Sequence, residues 1–246
     1  MLKADMKDKL RALRLNGWIE SWNINMKMGV DEGLSLERVV TMMVDQEYHR
    51  KQGNALRRRV AQANIEDEWR LSTYPFDRQP KLDRRKIMTV YDAMEYASGH
   101  RNIVWVGPTG CGKTGLATSF LMQALEQGYS GRLVSFSQLV QELYQSAADH
   151  SEHKVLRPYI RCDCLVIDEI GYMEVEPAQV GLFFDLLHRR HKKSGTLITT
   201  NLGFSEWGTF LKNDHLTAAL LDRLTEHCDV FNMNQCISLR KALHKT

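Results

Sequence analysis

The sequence predicts an α/β protein in which a parallel sheet core follows a small all-helical N-terminal domain. Short apolar runs alternate with longer segments of helical periodicity in the second part of the chain. One of these runs leads directly into a phosphate-binding loop, and the first 72 residues show helical stripes with no strand pattern. Short strands separated by helices are typical of βαβ units, whose strands are parallel and covered on both faces.

The N-terminal segment, residues 1–72, is predicted to be helical because apolar residues recur there at helical spacing. The stripes contain Met6, Leu10, Leu13, Gly17, Trp18 and Trp22, then Leu36, Val39, Val40, Met43 and Val44. Ser35 is the expected N-cap of the second helix, and a third, shorter helix is expected from Asn54. Pro75 and Pro80 interrupt this pattern, so we place the domain boundary after residue 72.

Residues 73–246 are assigned to the sheet domain. Its predicted strands are Ile103–Val106, Leu133–Phe136, Leu165–Ile167 and Leu197–Thr200. The chain stops at residue 246, so no helical lid domain is expected to follow the sheet.

Composition supports a packed core, since 43% of the 246 residues are hydrophobic and 26% are charged. The net charge is +3, with 13 Lys/Arg against 11 Asp/Glu through residue 75, 6 against 4 in residues 76–101, and 14 against 15 beyond. The positive excess therefore precedes the phosphate-binding loop, which permits nucleic-acid contact there without requiring it.

Cysteine usage and the N-terminus predict a cytoplasmic protein with no membrane association. The five cysteines lack metal-ligand spacing and are expected to be reduced thiols. No apolar signal region begins the chain, and no apolar run reaches the roughly 18 residues of a membrane-spanning helix.

The strongest motif is a P-loop placed between a predicted strand and a predicted helix. Backbone N–H groups of such a loop surround phosphates, Lys113 reaches the β- and γ-phosphates, and the Thr114 hydroxyl is a ligand for Mg²⁺. The expected nucleotide-binding residues are Gly107, Pro108, Thr109, Gly110, Cys111, Gly112, Lys113, Thr114 and Gly115. The sequence therefore predicts ATP and Mg²⁺ as cofactors.

Two carboxylates follow the predicted strand Leu165–Ile167. Asp168 suits a Mg²⁺ contact shared with Thr114, and Glu169 is placed to activate the attacking water. The alternative is a strand end that carries two solvated acids, which the neighbouring P-loop makes less favourable.

Two further positions have both a catalytic and an ordinary interpretation. Asn201 ends the strand Leu197–Thr200, where an amide can hold the lytic water, although Asn is also common in strand-to-loop turns. Arg223 lies on a helix and is either a surface arginine paired with Asp222 or Glu226, or an arginine finger for a neighbouring subunit's ATP.

Two basic clusters are candidate DNA contacts, directed to the backbone rather than to bases. The first contains Arg50, Lys51, Arg57, Arg58 and Arg59, and the second contains Arg189, Arg190, Lys192 and Lys193. Solvated arginines are the alternative for the first cluster. For the second, the alternative is a helix end before Ser194 and Gly195, where cations complement the helix dipole and glycine caps the helix.

Taken in order, these segments resemble the IstB-like transposition helper ATPases, close kin of the DnaC-like helicase loaders within the AAA+ class. The resemblance includes the linker from Phe76 to Asp83, the P-loop, DCLVIDEIGY at Asp163–Tyr172, Thr199–Leu202 with Phe204 to Trp207, and LDRL at Leu221–Leu224. It covers nearly the whole chain, and the segments after the P-loop are more specific than the P-loop itself.

The resemblance implies an AAA+-type ATPase core that assembles as a homo-oligomer on double-stranded DNA and assists a transposase. It implies that Asn201 is sensor 1 and that Arg223 acts across a subunit interface. Arg240 aligns with a nucleotide-sensing arginine, although the Gly and Tyr that usually precede it are absent here. A helicase loader is the alternative with the same fold, and a P-loop small-molecule kinase is the alternative from another class.

Overall fold

The computed structural model describes residues 2–148 and 150–240. The chain divides into two compact units, Met1–Arg58 and Arg59–Thr246. This division falls inside a long helix and precedes the boundary predicted after residue 72. The end of that helix belongs to the second unit, where Arg59 Nε donates a 2.7 Å hydrogen bond to the carbonyl of Leu125.

The first unit is built from three helices: α1 (Ala4–Ala12), α2 (Asn16–Asp31) and α3 (Leu36–Ala63). The backbone N–H of Arg38 donates to Ser35 Oγ, which confirms the predicted cap of α3. The prediction of a separate helix from Asn54 is wrong, because α3 continues through this position. A single glycine, Gly53, costs a helix only about 1 kcal/mol and does not end it.

Few apolar side chains are buried inside the first unit. Leu10, Val39 and Met43 are buried, whereas the predicted stripe partners Leu36, Val40 and Val44 are exposed. Polar contacts join α2 to α3 instead: the N–H of Gly17 donates to the buried Glu47 carboxylate at 2.6 Å. A Cβ at Gly17 would overlap that carboxylate, so glycine allows the two helices to approach.

The second unit is an α/β domain. Two short 3₁₀ turns (Leu71–Thr73 and Phe76–Arg78) and the helices α4 (Arg84–Ala93) and α5 (Glu95–Ser98) lead into it. The elements that follow are β1 (Asn102–Val106), α6 (Lys113–Glu126), β2 (Gly131–Ser135), α7 (Phe136–Ala148), α8 (Glu152–Arg161), β3 (Cys164–Ile170), α9 (Pro177–Arg190), β4 (Gly195–Thr200), a 3₁₀ turn (Phe204–Glu206), α10 (Trp207–Leu211), α11 (Asp214–Thr225) and β5 (Cys228–Asn232).

The five strands form one parallel sheet in the order β2-β3-β4-β1-β5. The predicted α/β class and all four predicted strands are confirmed, except that Phe136 begins α7 rather than ending β2. Gly195 does not cap α9 as one alternative held, because it is the first residue of β4. The order places β1 and β3 on either side of β4, which brings the carboxyl ends of these three strands together.

The core lies between this sheet and its helices. All six residues of β4 are buried, as are Ile103 to Val106 of β1, and Phe136 of α7 packs edge-on against Phe183 of α9. Within the described ranges, none of the helices is long and apolar enough to cross a membrane.

Candidate functional site

The P-loop connects the carboxyl end of β1 to the amino end of α6. Gly110 and Gly112 adopt φ values of +82° and +96°, a region in which side chains are strained, so these two positions require glycine. Lys113 is buried, and its ammonium donates to the carbonyls of Gly107 (2.8 Å) and Pro108 (2.9 Å). The loop thus holds its lysine directly over its own backbone, at the N-terminus of a helix whose partial charge favours anions.

Two segments distant in sequence support the loop from outside. Gln79 is buried, and its amide donates to the carbonyls of Cys111 (3.1 Å) and Ile237 (2.7 Å). The N–H of Leu239 donates to the carbonyl of Gly110 at 2.8 Å. Burial raises the pKa of the Cys111 thiol, so Cys111 serves this site through its backbone rather than as a nucleophile.

Asp168 and Glu169 lie at an irregularity in β3. The register with β4 shifts between Ile167 and Ile170, so three steps along β3 match two along β4, and Glu169 has φ +63°. Such a bulge redirects side chains at the end of a strand. Here it turns Asp168 toward the P-loop, where the Thr114 hydroxyl donates to both carboxylate oxygens at 3.1 and 3.0 Å.

The Thr114–Asp168 pair fits the predicted Mg²⁺ ligands. A hydroxyl and a carboxylate are oxygen donors, and Mg²⁺ in nucleotide sites is held by one or two such groups together with phosphate oxygens. Both side chains line the same cavity as Lys113. The residues present therefore suit a magnesium-bound nucleotide.

This cavity has a volume of about 430 Å³, within the usual range for small-molecule sites. It brings together most of the predicted site residues: Thr109, Gly110, Gly112, Lys113, Thr114, Gly115, Asp168, Glu169 and Arg240. Of the other predicted loop residues, Gly107 packs on Met233 and Cys111 is buried away from the cavity. Pro108 is exposed and contributes the carbonyl that contacts Lys113.

Asn201 does not line the cavity. It follows β4 at the same edge of the sheet, and its side-chain oxygen lies against Gly171, in the loop after β3. The role of Asn201 in holding water stays a prediction.

Arg223 lies at the opposite end of the strands from the P-loop. Its guanidinium donates to the carbonyl of Ala219 (2.7 Å), lies 5.2 Å from the centroid of the Phe184 ring, and lines a small cleft with Asn102, the first residue of β1. The four steps from Asn102 to Val106 span about 13 Å. Arg223 is therefore remote from the nucleotide site of its own chain.

Fewer side chains of the two basic clusters are accessible to DNA than the sequence predicted. The prediction that Arg190 contacts DNA is wrong, because its guanidinium is buried. The guanidinium donates to the carbonyls of Cys162 (2.9 Å) and Gly195 and to the hydroxyl of Thr196 (3.0 Å). Local spacing could not reveal this, because Cys162 lies 28 residues earlier in the chain and Gly195 and Thr196 belong to the strand that follows α9.

Other cations of these clusters already have partners. Arg50 pairs with Glu47 at 2.9 Å, Arg189 with Asp185 at 2.8 Å and Lys192 with Glu226 at 2.6 Å. Lys51 is exposed with Glu47 at 3.8 Å, and Arg57, Arg58 and Lys193 are exposed as well. Contact between DNA and any of these side chains stays a prediction.

Sequence reasoning missed several residues that line the cavity: Asp67, Trp69, Tyr172, Thr199 and Leu239. Trp69 lies against Gly115, and the Tyr172 hydroxyl is 2.9 Å from Thr109 Oγ1. Trp69 comes from an irregular segment with no motif. Thr199 was detectable in principle, because alternation along β4 places it on the same side as position 201.

Comparison with known proteins agrees with this geometry. The model of the IstB-like ATP binding protein family matches residues 8–245. The chain belongs to this family. The description of this family names ATP binding, which the P-loop of this chain also predicts.

Relatives of this family member come from bacterial mobile elements. The chain is 27% identical over 232 residues to the insertion sequence IS5376 putative ATP-binding protein of Geobacillus stearothermophilus, covering 94% of this chain and 92% of the relative. It is also 27% identical to the insertion sequence IS21 putative ATP-binding protein of Pseudomonas aeruginosa, covering 85% and 78%. The DnaC helicase loader shares the fold, with a TM-score of 0.52 at 19% identity over 61% of this chain and 87% of that one.

Proposed function

We propose that this protein is a Mg²⁺-dependent ATPase that assembles as an oligomer on double-stranded DNA and assists a transposase. The observation that carries the proposal is the bulge in β3, which sets Asp168 against Thr114 and leaves Glu169 exposed at the P-loop cavity. A P-loop alone accounts for nucleotide binding. An exposed carboxylate beside the metal-ligand pair adds a group that can activate water.

Each residue of the site has a proposed role in hydrolysis. Lys113 neutralises phosphate charge, Thr114 and Asp168 hold Mg²⁺, and Glu169 accepts a proton from the attacking water. Arg240 supplies a further positive charge at the cavity wall. Asn201 orients the water at the edge of the sheet between β1 and β3.

The position of Arg223 supports an oligomer. An arginine at the amino ends of the strands cannot reach phosphates bound at their carboxyl ends, so Arg223 can act on ATP only in another copy of the chain. A second copy of the chain that packs this end against the P-loop cavity would complete the site with Arg223. An arginine finger supplied in this way typically raises turnover by about 10³–10⁵.

One face of α8 is a further candidate for DNA contact, beside the exposed Arg57, Arg58 and Lys193 of the predicted clusters. Lys154, Arg157 and Arg161 are all exposed and share one face of α8, at spacings of three and four residues. Among the described residues, no carboxylate lies within ion-pair distance of these three side chains. Uncompensated cations release the most counterions when they meet phosphates, so this α8 face favours DNA binding.

The transposase client is proposed from the relatives. Their names place them in insertion sequences, where mobility requires a transposase. The helicase-loader neighbour is similar in fold, and its client is proposed for this chain only as an alternative outcome of the test.

The test of the proposal is ATP hydrolysis measured with and without duplex DNA. We expect DNA-stimulated turnover in the parent, none in Lys113→Ala, and ATP-dependent particles on DNA by electron microscopy. A monomer whose turnover ignores DNA would indicate a small-molecule kinase instead. Retention of the protein by immobilised replicative helicase, and not by transposase, would point to a helicase loader.

The DNA surface has its own test with matched variants. Lys154→Ala/Arg157→Ala removes two charges that have no carboxylate partner within the part of the chain that the structure describes, whereas Arg189→Ala/Lys192→Ala removes two that are already paired. We expect only the first variant to lower the slope of log affinity against log salt, by about 2 for duplex DNA. Equal effects of the two variants would contradict the assignment to α8.

A further inference from the structure

Thr199 connects the two carboxylate positions of the site. It lies in β4, it is fully buried, and it is one of the residues that line the P-loop cavity. The hydroxyl donates to Asp168 Oδ1 and accepts a 2.9 Å hydrogen bond from the backbone N–H of Glu169. One buried hydroxyl is thus bonded to both residues at once.

The sheet register explains this position. Ile167 pairs with Ile198, so the next residue on each strand brings Asp168 beside Thr199. The pairing resumes at Ile170 with Thr200, and Glu169 is the residue displaced between them. The Thr199 hydroxyl therefore occupies the position at which the ladder between the strands is interrupted.

Glu169 needs such support because its backbone is strained. A non-glycine residue at φ +63° persists only where its surroundings hold it. Its N–H has lost the ladder partner that a regular strand would provide and is satisfied by Thr199 Oγ1 instead. The direction in which the Glu169 side chain leaves the strand depends on this bond.

Asp168 depends on the same hydroxyl in a different way. Its carboxylate has two hydroxyl donors, Thr114 and Thr199. If Thr114 turns its oxygen to Mg²⁺, Thr199 is the donor that keeps the carboxylate in place. Hydrogen bonds of this kind orient metal ligands, and their loss typically costs about 10–100-fold in metal affinity or activity.

We propose that Thr199 is a positioning residue that orients the Asp168 carboxylate for Mg²⁺ and holds the backbone of Glu169 in its left-handed conformation. The role rests on the proposed ATPase function. It requires a group that donates and accepts at the same time, which serine shares and valine lacks.

The experiment compares Thr199→Val, Thr199→Ser and a matched control, Thr196→Val. Thr196 is equally buried on the same strand, but its hydroxyl meets Arg190 at the opposite end of β4. Binding of fluorescent mant-ATP is measured in EDTA and over a Mg²⁺ titration, followed by turnover over the same titration. Melting temperatures establish that each variant is folded.

We expect all variants to bind mant-ATP in EDTA as the parent does. Thr199→Val should need about tenfold more Mg²⁺ for half-maximal binding. Its kcat should stay reduced at saturating Mg²⁺, because Glu169 is also displaced. Thr199→Ser should stay within about threefold of the parent on both measures, and Thr196→Val should match the parent.

The outcomes separate this role from the ATPase proposal. A parental Mg²⁺ requirement in Thr199→Val, or equal impairment in Thr199→Ser, would overturn the positioning role. Absence of turnover in the parent would overturn the ATPase proposal, while the Mg²⁺ titration of mant-ATP binding would still test Thr199. If Thr199→Val does not fold, Thr199→Ala removes the same hydroxyl without adding bulk and carries the same expectations.

Discussion

Replacing Arg190 tests whether this arginine stabilises the fold rather than contacting DNA. Its guanidinium donates to the carbonyls of Tyr159, Cys162 and Gly195 and to the hydroxyl of Thr196. These bonds join the end of α8, the residue that follows it and the start of β4 to the last turn of α9.

Arg190→Met keeps much of the side-chain volume but leaves three buried carbonyls without their charged donor. Each unsatisfied buried group costs about 1–3 kcal/mol. Partial rehydration offsets some of this loss, so we expect the free energy of unfolding to fall by about 3–5 kcal/mol. For a protein of this size that corresponds to a melting temperature lower by about 10 °C.

The assay is urea denaturation followed by tryptophan fluorescence, since Trp105 and Trp207 are both buried in the second unit. Arg189→Met is the matched control, because Arg189 is exposed and its ion pair is with Asp185 on the same helix. Its effect should lie within about 0.5 kcal/mol. A free energy of unfolding for Arg190→Met within about 1 kcal/mol of the parent value, similar to that of the control, would refute the structural role of Arg190.

Three further results are expected. Glu169→Gln should retain mant-ATP binding, lose turnover by at least about a hundredfold and stabilise the DNA-bound oligomer; turnover at the parental rate would refute the role of Glu169. Arg223→Ala and Lys113→Ala should each be inactive alone but partly active when mixed, and no recovery on mixing would count against a finger that acts between subunits. Gly112→Ala should abolish mant-ATP binding, because φ +96° and the nearby Tyr74 hydroxyl both exclude a Cβ; unchanged affinity would show that the loop can adjust.

A strand could be predicted from the sequence where nearly all of its consecutive residues are buried and apolar. β1 and β4 are short and almost entirely buried, so their apolar runs stand out in the sequence. β5 (Cys228–Asn232) was missed because it pairs with only one neighbour and buries only Phe231. Its sequence, CDVFN, has neither an apolar run nor a regular alternation.

The nucleotide site was predictable where consecutive residues perform the chemistry. The P-loop and the Asp168–Glu169 pair are such segments, and the structure places them at one cavity. Thr199 and Trp69 reach that cavity from other segments; Trp69 belongs to no motif, and the segment Thr199–Leu202 was not expected to place Thr199 in the site. Alternation along β4 shows on which side Thr199 lies, but its contacts with Asp168 and Glu169 depend on strand register, and the position of Trp69 depends on the path of the chain.

The second basic cluster also shows what could not be predicted from the sequence. Arg189, Arg190 and Lys192 look equivalent in sequence, yet one is paired on the surface, one is buried and one is paired with Glu226 at the end of α11. Charge can be counted from composition. Availability of charge depends on which acceptors fold against it.

The P-loop, the parallel α/β class and the family were determined by the sequence alone, because phosphate binding and strand burial depend on residues adjacent in the chain. The tertiary structure alone decided that Thr199 supports both carboxylates, that Arg190 is a buried donor, and that Arg223 faces away from its own nucleotide site. Each of these depends on a contact between segments far apart in sequence. Such contacts follow from strand order, strand register and helix placement, which are properties of the assembled fold.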